Sequence, residues 1–254
     1  FYRNIGDSTI RSLHLKIART LESFHKNSID AVLYDLAYHY IKSGDAEKSL
    51  AYALPAGLRA MEHYANDEAL RYLNIAAALL DGGPDAGAET LLLCRQKIGE
   101  INLRIGRNDE GIAIFNHILT MPMDDSRRAE IYTQLCLAFF NKGAWKECEE
   151  NARVGLALLG ENLPVKNPRF ALSLAREIIV HIIRNIIPFR GKAREGGADT
   201  ENIRRIIWFY LRLNYAYLLG NNKITYFIRS TLRMLHLSES RLGPSRELGM
   251  TLAG

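Results

Sequence analysis

Four times along this 254-residue chain a glycine stands seven positions after a small or apolar residue within a helix-spaced apolar run. The pairs are Ala37 with Gly44, Gly99 with Gly106, Cys136 with Gly143, and Leu213 with Gly220. Apolar residues at three- and four-residue steps bury one stripe of a helix. A glycine just past the stripe lets the chain stop in a left-handed turn and reverse. A chain punctuated this way has few options beyond helices laid antiparallel to one another.

The match extends into the second helix of each pair. Three positions after the anchors stand Tyr40, Asn102, Phe139 and Ala216. Sixteen after them stand Ala53, Phe115, Ala152 and Arg229, and nineteen after them Ala56, Ile118, Gly155 and Leu232. A fifth, glycine-poor copy is anchored on Gly57, with Ala60, Ala69, Leu73 and Ala76 at matching positions. Small residues at such positions let helix axes approach closely, and bulkier ones fill the space towards the next pair. The predicted fold is all-α: a right-handed α-solenoid of antiparallel helical hairpins built from degenerate, tetratricopeptide-like repeats.

Anchors at 99 and 136 are 37 residues apart, whereas 136 to 213 is 77, so extra helix or loop is inserted in the second interval. Asp7 with Ser8, Ser28 or Asp30, Asp45, Asn66 with Asp67, Asp109, Asp124 with Asp125, and Ala144 with Trp145 are the predicted helix starts, and Gly82-Gly83-Pro84 is a predicted stop. ENLPVKNPR (161–169) reads as a connector. PFRGKAREGGAD (188–199) reads as an exposed basic loop. The run between them, FALSLAREIIVHIIRNII, is apolar enough to predict one well-buried helix. The expected organisation is N-terminal repeats over 1–160 and C-terminal repeats over 161–254, in one continuous solenoid. With no initiating methionine and no polar tail, the ends are expected to be cuts within a longer polypeptide.

Composition narrows the function classes. A 48% hydrophobic content supplies a core, yet no apolar run reaches the length of a membrane span, and the N-terminus lacks a signal-peptide layout. Cys94, Cys136 and Cys148 are odd in number and form no CxxC pair, which argues against disulfides or a zinc knuckle and fits a reducing cytoplasm. The net charge of +5 is unevenly spread, because from residue 164 onward basic residues outnumber acidic ones 15 to 6. Such a third could face an acidic partner domain, a nucleic acid or an anionic surface, or simply be a set of solvated helix faces that are basic.

Chemistry is sparse. The sequence holds no phosphate loop, dinucleotide fingerprint, HExxH, GxSxG or calcium loop, and no two histidines stand four apart. No catalytic, cofactor-binding or metal-binding residue is predicted, and no enzyme activity. The acidic run ECEE (147–150) is expected on a solvated helix start. His39, within LAYHYIKSGDAEKSL, is expected to be a structural histidine beside the hairpin interface formed by Ala37 and Tyr40.

The faces next to the hairpin interfaces would line a concave groove. There the repeat register places Tyr34, Tyr38 and Lys42 in the first hairpin, and Gln96, Glu100 and Arg104 in the third. It places Thr133, Phe140 and Asn141 in the fourth, and Tyr210, Asn214 and Tyr217 in the last. Tyrosine, asparagine and arginine serve well at contact surfaces. Aromatics and basic residues mix in IRRIIWFYLRLNYAY (203–217), but at helical spacing, which favours core over a nucleic-acid surface.

LHLKIARTLES, followed by LAYHYIKSGDAEKSLAYALPAGLRAMEHYANDEALRYLNIAAALL, resembles the helical region that follows the nucleotide-binding module in large bacterial signalling ATPases of the AAA or STAND type. HLSESRLGPSRELGMTLAG is similar to a later part of the same region. The likeness covers both ends, and the middle agrees in helix spacing; the basic loop at 188–199 is its departure. The resemblance implies a sensor-and-scaffold arm coupling an ATPase to a cyclase, kinase or DNA-binding output module. It implies no catalysis here, since the ATPase motifs are absent.

The expected function is therefore non-catalytic: a helical scaffold that binds protein or peptide, principally flanking domains of its own polypeptide. The alternative is a metabolite- or nucleotide-binding domain, or an enzyme, with a pocket near the 188–199 loop.

Overall fold

The apolar spacing is realised as helix. A computed structural model describes residues 6–81, 87–164, 168–186, 198–220 and 223–242, and among these the chain forms eleven α-helices and no strand. They are α1 (Asp7–Phe24), α2 (Leu33–Ser43), α3 (Ala46–Glu62), α4 (Asn66–Leu80), α5 (Ala88–Arg104), α6 (Asn108–Ile118), α7 (Asp125–Asn141), α8 (Trp145–Leu158), α9 (Arg169–Ile186), α10 (Ala198–Tyr215) and α11 (Ile224–Leu237). No helix among the described residues is long and apolar enough to cross a membrane. The Gly82-Gly83-Pro84 stop and residues 188–197 of the basic loop lie outside the described residues.

Two of the predicted starts are true caps: Asp45 accepts from the Lys48 amide at 3.1 Å and Asp124 from the Arg127 amide at 2.8 Å. Asp7 instead lies inside the first turn of α1. Ser28 precedes a short 3-10 turn, Ile29–Val32, and accepts the Ala31 amide at 3.0 Å through its carbonyl, while its side chain makes no cap. The anchors themselves are interior: Ala37, Cys136 and Leu213 are fully buried, and so are Ala53, Ala56, Phe115, Ile118 and Ala152 in the second helices.

The chain divides into two compact units, Phe1–Ile114 and Phe115–Gly254. In the first, each helix packs on the next, α1 on α2 and so on to α4 on α5. Alanines at 53, 56, 60, 69 and 76 form the crossings, with Leu33, Leu73, Tyr72, Cys94 and Ile101 filling between them. A smaller cluster of Ala18, Leu36 and Tyr40 holds α1.

In the second unit α7 and α8 pair, α10 lies against both of them, and α11 lies against α10. The interval from anchor 136 to anchor 213 is thus filled by an inserted helix, α9, whose main contact is with α11. This corrects the expectation that α9 is well buried. Packed chiefly on one neighbour, it covers only one stripe, and Leu172, Ile178, Ile179, Ile182 and Ile183 are exposed.

The turns explain both the glycine rule and an exception to it. At three helix ends a left-handed glycine (Gly106, Gly143 or Gly160) is followed by an amide that bonds back five residues: Arg107 to Asn102, Ala144 to Phe139, and Glu161 to Leu156. This is the Schellman closure, which satisfies the last carbonyls of a helix. The α3–α4 turn has the same bond, Ala65 to Ala60, but its left-handed residue is Tyr64, at φ 59°. Tyr64 stands seven positions after Gly57, the place a glycine holds in the other copies.

A side chain there costs roughly 1–2 kcal/mol, while the Arg104 guanidinium stacked 5.1 Å over the exposed ring returns about 0.5–1 kcal/mol. Tyr64→Gly is therefore expected to stabilise the protein by roughly 0.5–1 kcal/mol. A urea midpoint that rises at unchanged slope is the expected result, and a lower midpoint would count against it.

Candidate functional site

The residues predicted for a groove divide by burial. Tyr38, Lys42, Arg104 and Asn141 are exposed. Tyr38 has 43% of its surface open and receives the Lys42 ammonium 6.0 Å from its ring centre. Arg104 donates to the Met61 carbonyl at 2.9 Å and to Asn66 at 3.5 Å, which holds it across the α3–α4 turn. Tyr34 is half-buried, tilted against Tyr72 at 6.0 Å. Gln96 is buried and donates to Glu100, which Lys97 also holds at 2.8 Å. Thr133 bonds its own helix at the Glu130 carbonyl and borders a hollow of about 350 Å³ with Gln134, Arg204 and Trp208. Phe140 is enclosed by Trp145, Tyr215 and the Arg212 guanidinium.

Tyr210, Asn214 and Tyr217 lie inside the second unit, not on a surface. The reason is the double contact of α10. A first helix seated on both members of the preceding pair buries two faces, so the positions beside the interface are interior as well. Asn214 donates to Thr231 at 3.0 Å and accepts from Ser230, which pins α11 to α10.

Polar groups the sequence did not single out form the strongest local chemistry. In the first unit Glu22 of α1 accepts from Tyr52 and from the Lys48 ammonium, each at 2.6 Å, and from Tyr40. Tyr40 and Tyr52 stack 5.3 Å apart, and the Lys48 ammonium sits over both rings. Burial alone would raise the Glu22 pKa, but the three donors outweigh it and bring it down to about 2. Burial and the Glu22 carboxylate push Tyr52 up to about 12. Beside this knot the Nδ1 atoms of His14 and His39 share a hydrogen bond of 2.8 Å, one ring donating and the other accepting. Burial and then the neighbouring His14 lower the His39 pKa, with Asp35 opposing them. His39 thus ties α1 to α2.

In the second unit the ECEE run is only partly solvated, contrary to expectation. Cys148 and Glu149 turn inward, and Glu149 pairs with Arg153 at 2.7 Å and with Lys223 at 2.8 Å. Helical geometry sends adjacent residues to different faces, so Glu147 and Glu150 stay exposed. Cys136 and Cys148 meet at 3.1 Å between α7 and α8 as free, fully buried thiols. The Cys148 hydrogen bond and burial hold Cys136 well above the ordinary thiol range. Among the described residues no group of three or more His, Cys, Asp or Glu is arranged to hold a metal ion.

No protein-family model matches the chain, and no curated protein matches it.

Proposed function

We propose that the chain is a non-catalytic helical-repeat scaffold, a right-handed α-solenoid of antiparallel, degenerate tetratricopeptide-like hairpins. It acts in the cytoplasm as the arm that couples a signalling ATPase to its output module. The supporting observation is one device used repeatedly. A buried small anchor (Ala37, Gly57, Gly99 or Cys136) followed seven residues later by a left-handed residue recurs four times among the described residues. Small residues mark the second-helix crossing at Ala53, Ala56, Ala152 and Gly155, and α10 seats against both helices of the preceding pair.

A stack in which each hairpin touches only its neighbours transmits a change of curvature along its length. A protein or peptide bound across several hairpins therefore shifts the balance of states in flanking domains. The contact residues are the exposed members of the predicted set: Tyr38, Lys42, Arg104 and Asn141.

The test uses the parent polypeptide with Tyr38→Ala, Arg104→Ala and Asn141→Ala, singly and together. ATP hydrolysis and output activity are expected to change roughly 2- to 30-fold, the range of a modulated coupling, with helix content retained. Unchanged hydrolysis and output in the folded triple variant would overturn the proposal.

A further inference from the structure

One position in the repeat register breaks the rule that the others obey. Sixteen residues after the anchor the other hairpins bury Ala53, Phe115 and Ala152, whereas the last hairpin buries Arg229, which is only 6% exposed. Taking a guanidinium out of water is costly unless it meets an anion. Its Nε donates to Ser173 of α9 at 2.6 Å, and no carboxylate among the described residues lies within ion-pair distance of it.

Arg229 opens onto a cavity of about 900 Å³ lined by α9, α11 and the segment after α8. Three more guanidinium groups border it, Arg169 and Arg176 from α9 and Arg233 from α11. Two carboxylates border the cavity, and the buried Oε2 of Glu177 makes no hydrogen bond among the described residues. Glu161 takes Arg233 and the Tyr210 hydroxyl, and Glu177, deeply buried, lies 3.9 Å from Arg233 and 3.6 Å from His236. Among the described residues no carboxylate lies within ion-pair distance of Arg169, Arg176 or Arg229, although the Arg176 charge does act on Glu177. Leu163, Pro164 and Pro168 add apolar lining.

A volume of this size suits a small organic ligand. Planar guanidinium groups bordering one cavity can match the tetrahedral oxygens of a phosphoryl group. We propose that this cavity is a binding site for a small phosphorylated molecule, its phosphate held by Arg229, Arg169 and Arg176 and its organic part lying on the Leu163–Pro164 wall. The inserted helix α9 then has a purpose the repeat pattern does not supply. It brings Ser173, Arg169 and Arg176 to a hairpin whose own core position is already basic.

The experiment titrates the whole 254-residue chain by calorimetry with inorganic phosphate, pyrophosphate, glucose 6-phosphate, ATP and, as an oxyanion control, malonate. One-to-one binding of at least one phosphorylated probe is expected, with malonate weaker. Binding of the organic phosphates over the inorganic ones is expected, and the reverse would overturn the placement of an organic part on the Leu163–Pro164 wall. Arg169→Gln and Arg176→Gln change exposed side chains and leave the fold intact. Each is expected to weaken binding about tenfold or more, the loss of one charge-assisted hydrogen bond.

Arg229→Met is expected to abolish binding while leaving the melting temperature of the free protein equal to or above that of wild type, because an uncompensated buried charge has been removed. Three results would overturn the proposal: no heat from any phosphorylated probe, malonate binding as tightly as the phosphates, or affinities unchanged in the Arg169→Gln, Arg176→Gln double variant.

Discussion

Gly155→Ala is expected to lower the stability of the protein by about 1–2 kcal/mol, and Gly155→Val by roughly 3 kcal/mol, although both replace a helix-interior glycine. On helix propensity alone the alanine would gain about 1 kcal/mol. Space decides against it. A Cβ on Gly155 would stand 2.2 Å from Cζ of Phe209 and under 3.0 Å from two further ring carbons. Phe209 is fully buried where α10 crosses α8, so the ring cannot swing into solvent.

Relief requires the two helices to separate, which would loosen Leu156, Ile206 and Tyr210 in the same cluster. Urea unfolding measures the effect as a lower midpoint at unchanged slope. A double-mutant cycle with Phe209→Leu supplies the mechanism: the alanine should cost less beside the smaller side chain. A neutral or stabilising Gly155→Ala would show that the crossing is looser than described.

Glu22→Gln is expected to destabilise the attachment of α1 by about 2–3 kcal/mol, since one carboxylate serves two tyrosine hydroxyls and an ammonium. Apart from this knot and the His14–His39 bond, α1 is held by a small apolar cluster around Ala18. Loss of the carboxylate should therefore appear first as faster amide exchange and proteolysis in Asp7–Phe24.

The pH dependence has a definite sign. The carboxyl binds its proton less readily in the folded state, at about 2, than at its ordinary value of 4.5. Its contribution is complete above pH 4.5 and disappears as pH falls towards 2. The stability gap between wild type and Glu22→Gln should accordingly close across that window. A gap that stays constant down to pH 2 would show that the charge of Glu22 is not what holds α1.

The pairing of helices was legible because its signals are local. Periodicity, a small anchor and a glycine turn all lie within about forty residues of one another, and the caps at Asp45 and Asp124 lie within three residues of the amides they accept from. Tyr64 was legible too, as the residue in a glycine's place, but its strain became visible only once the turn had a φ angle. The groove set was harder to read. The register correctly separates Ala37 and Tyr40 from Tyr38, yet on α10 it sends Tyr210, Asn214 and Tyr217 to a face that a second neighbour covers. Nothing in a helix's own spacing states how many neighbours it will have.

By itself, the sequence determined that this protein is helical, where most helices start and turn, and which small residues mark the crossings, since all of these follow from interactions between residues close in the chain. Only the tertiary structure decided that α9 is laid against α11 with an open apolar face, that Glu22 gathers Tyr40, Lys48 and Tyr52, and that Arg229 meets Ser173, Arg169 and Arg176 around one cavity. Those partners are 18 to 60 residues apart. What joins them is the burial of apolar surface between helices, which rewards contact without regard to sequence distance and brings its polar passengers along.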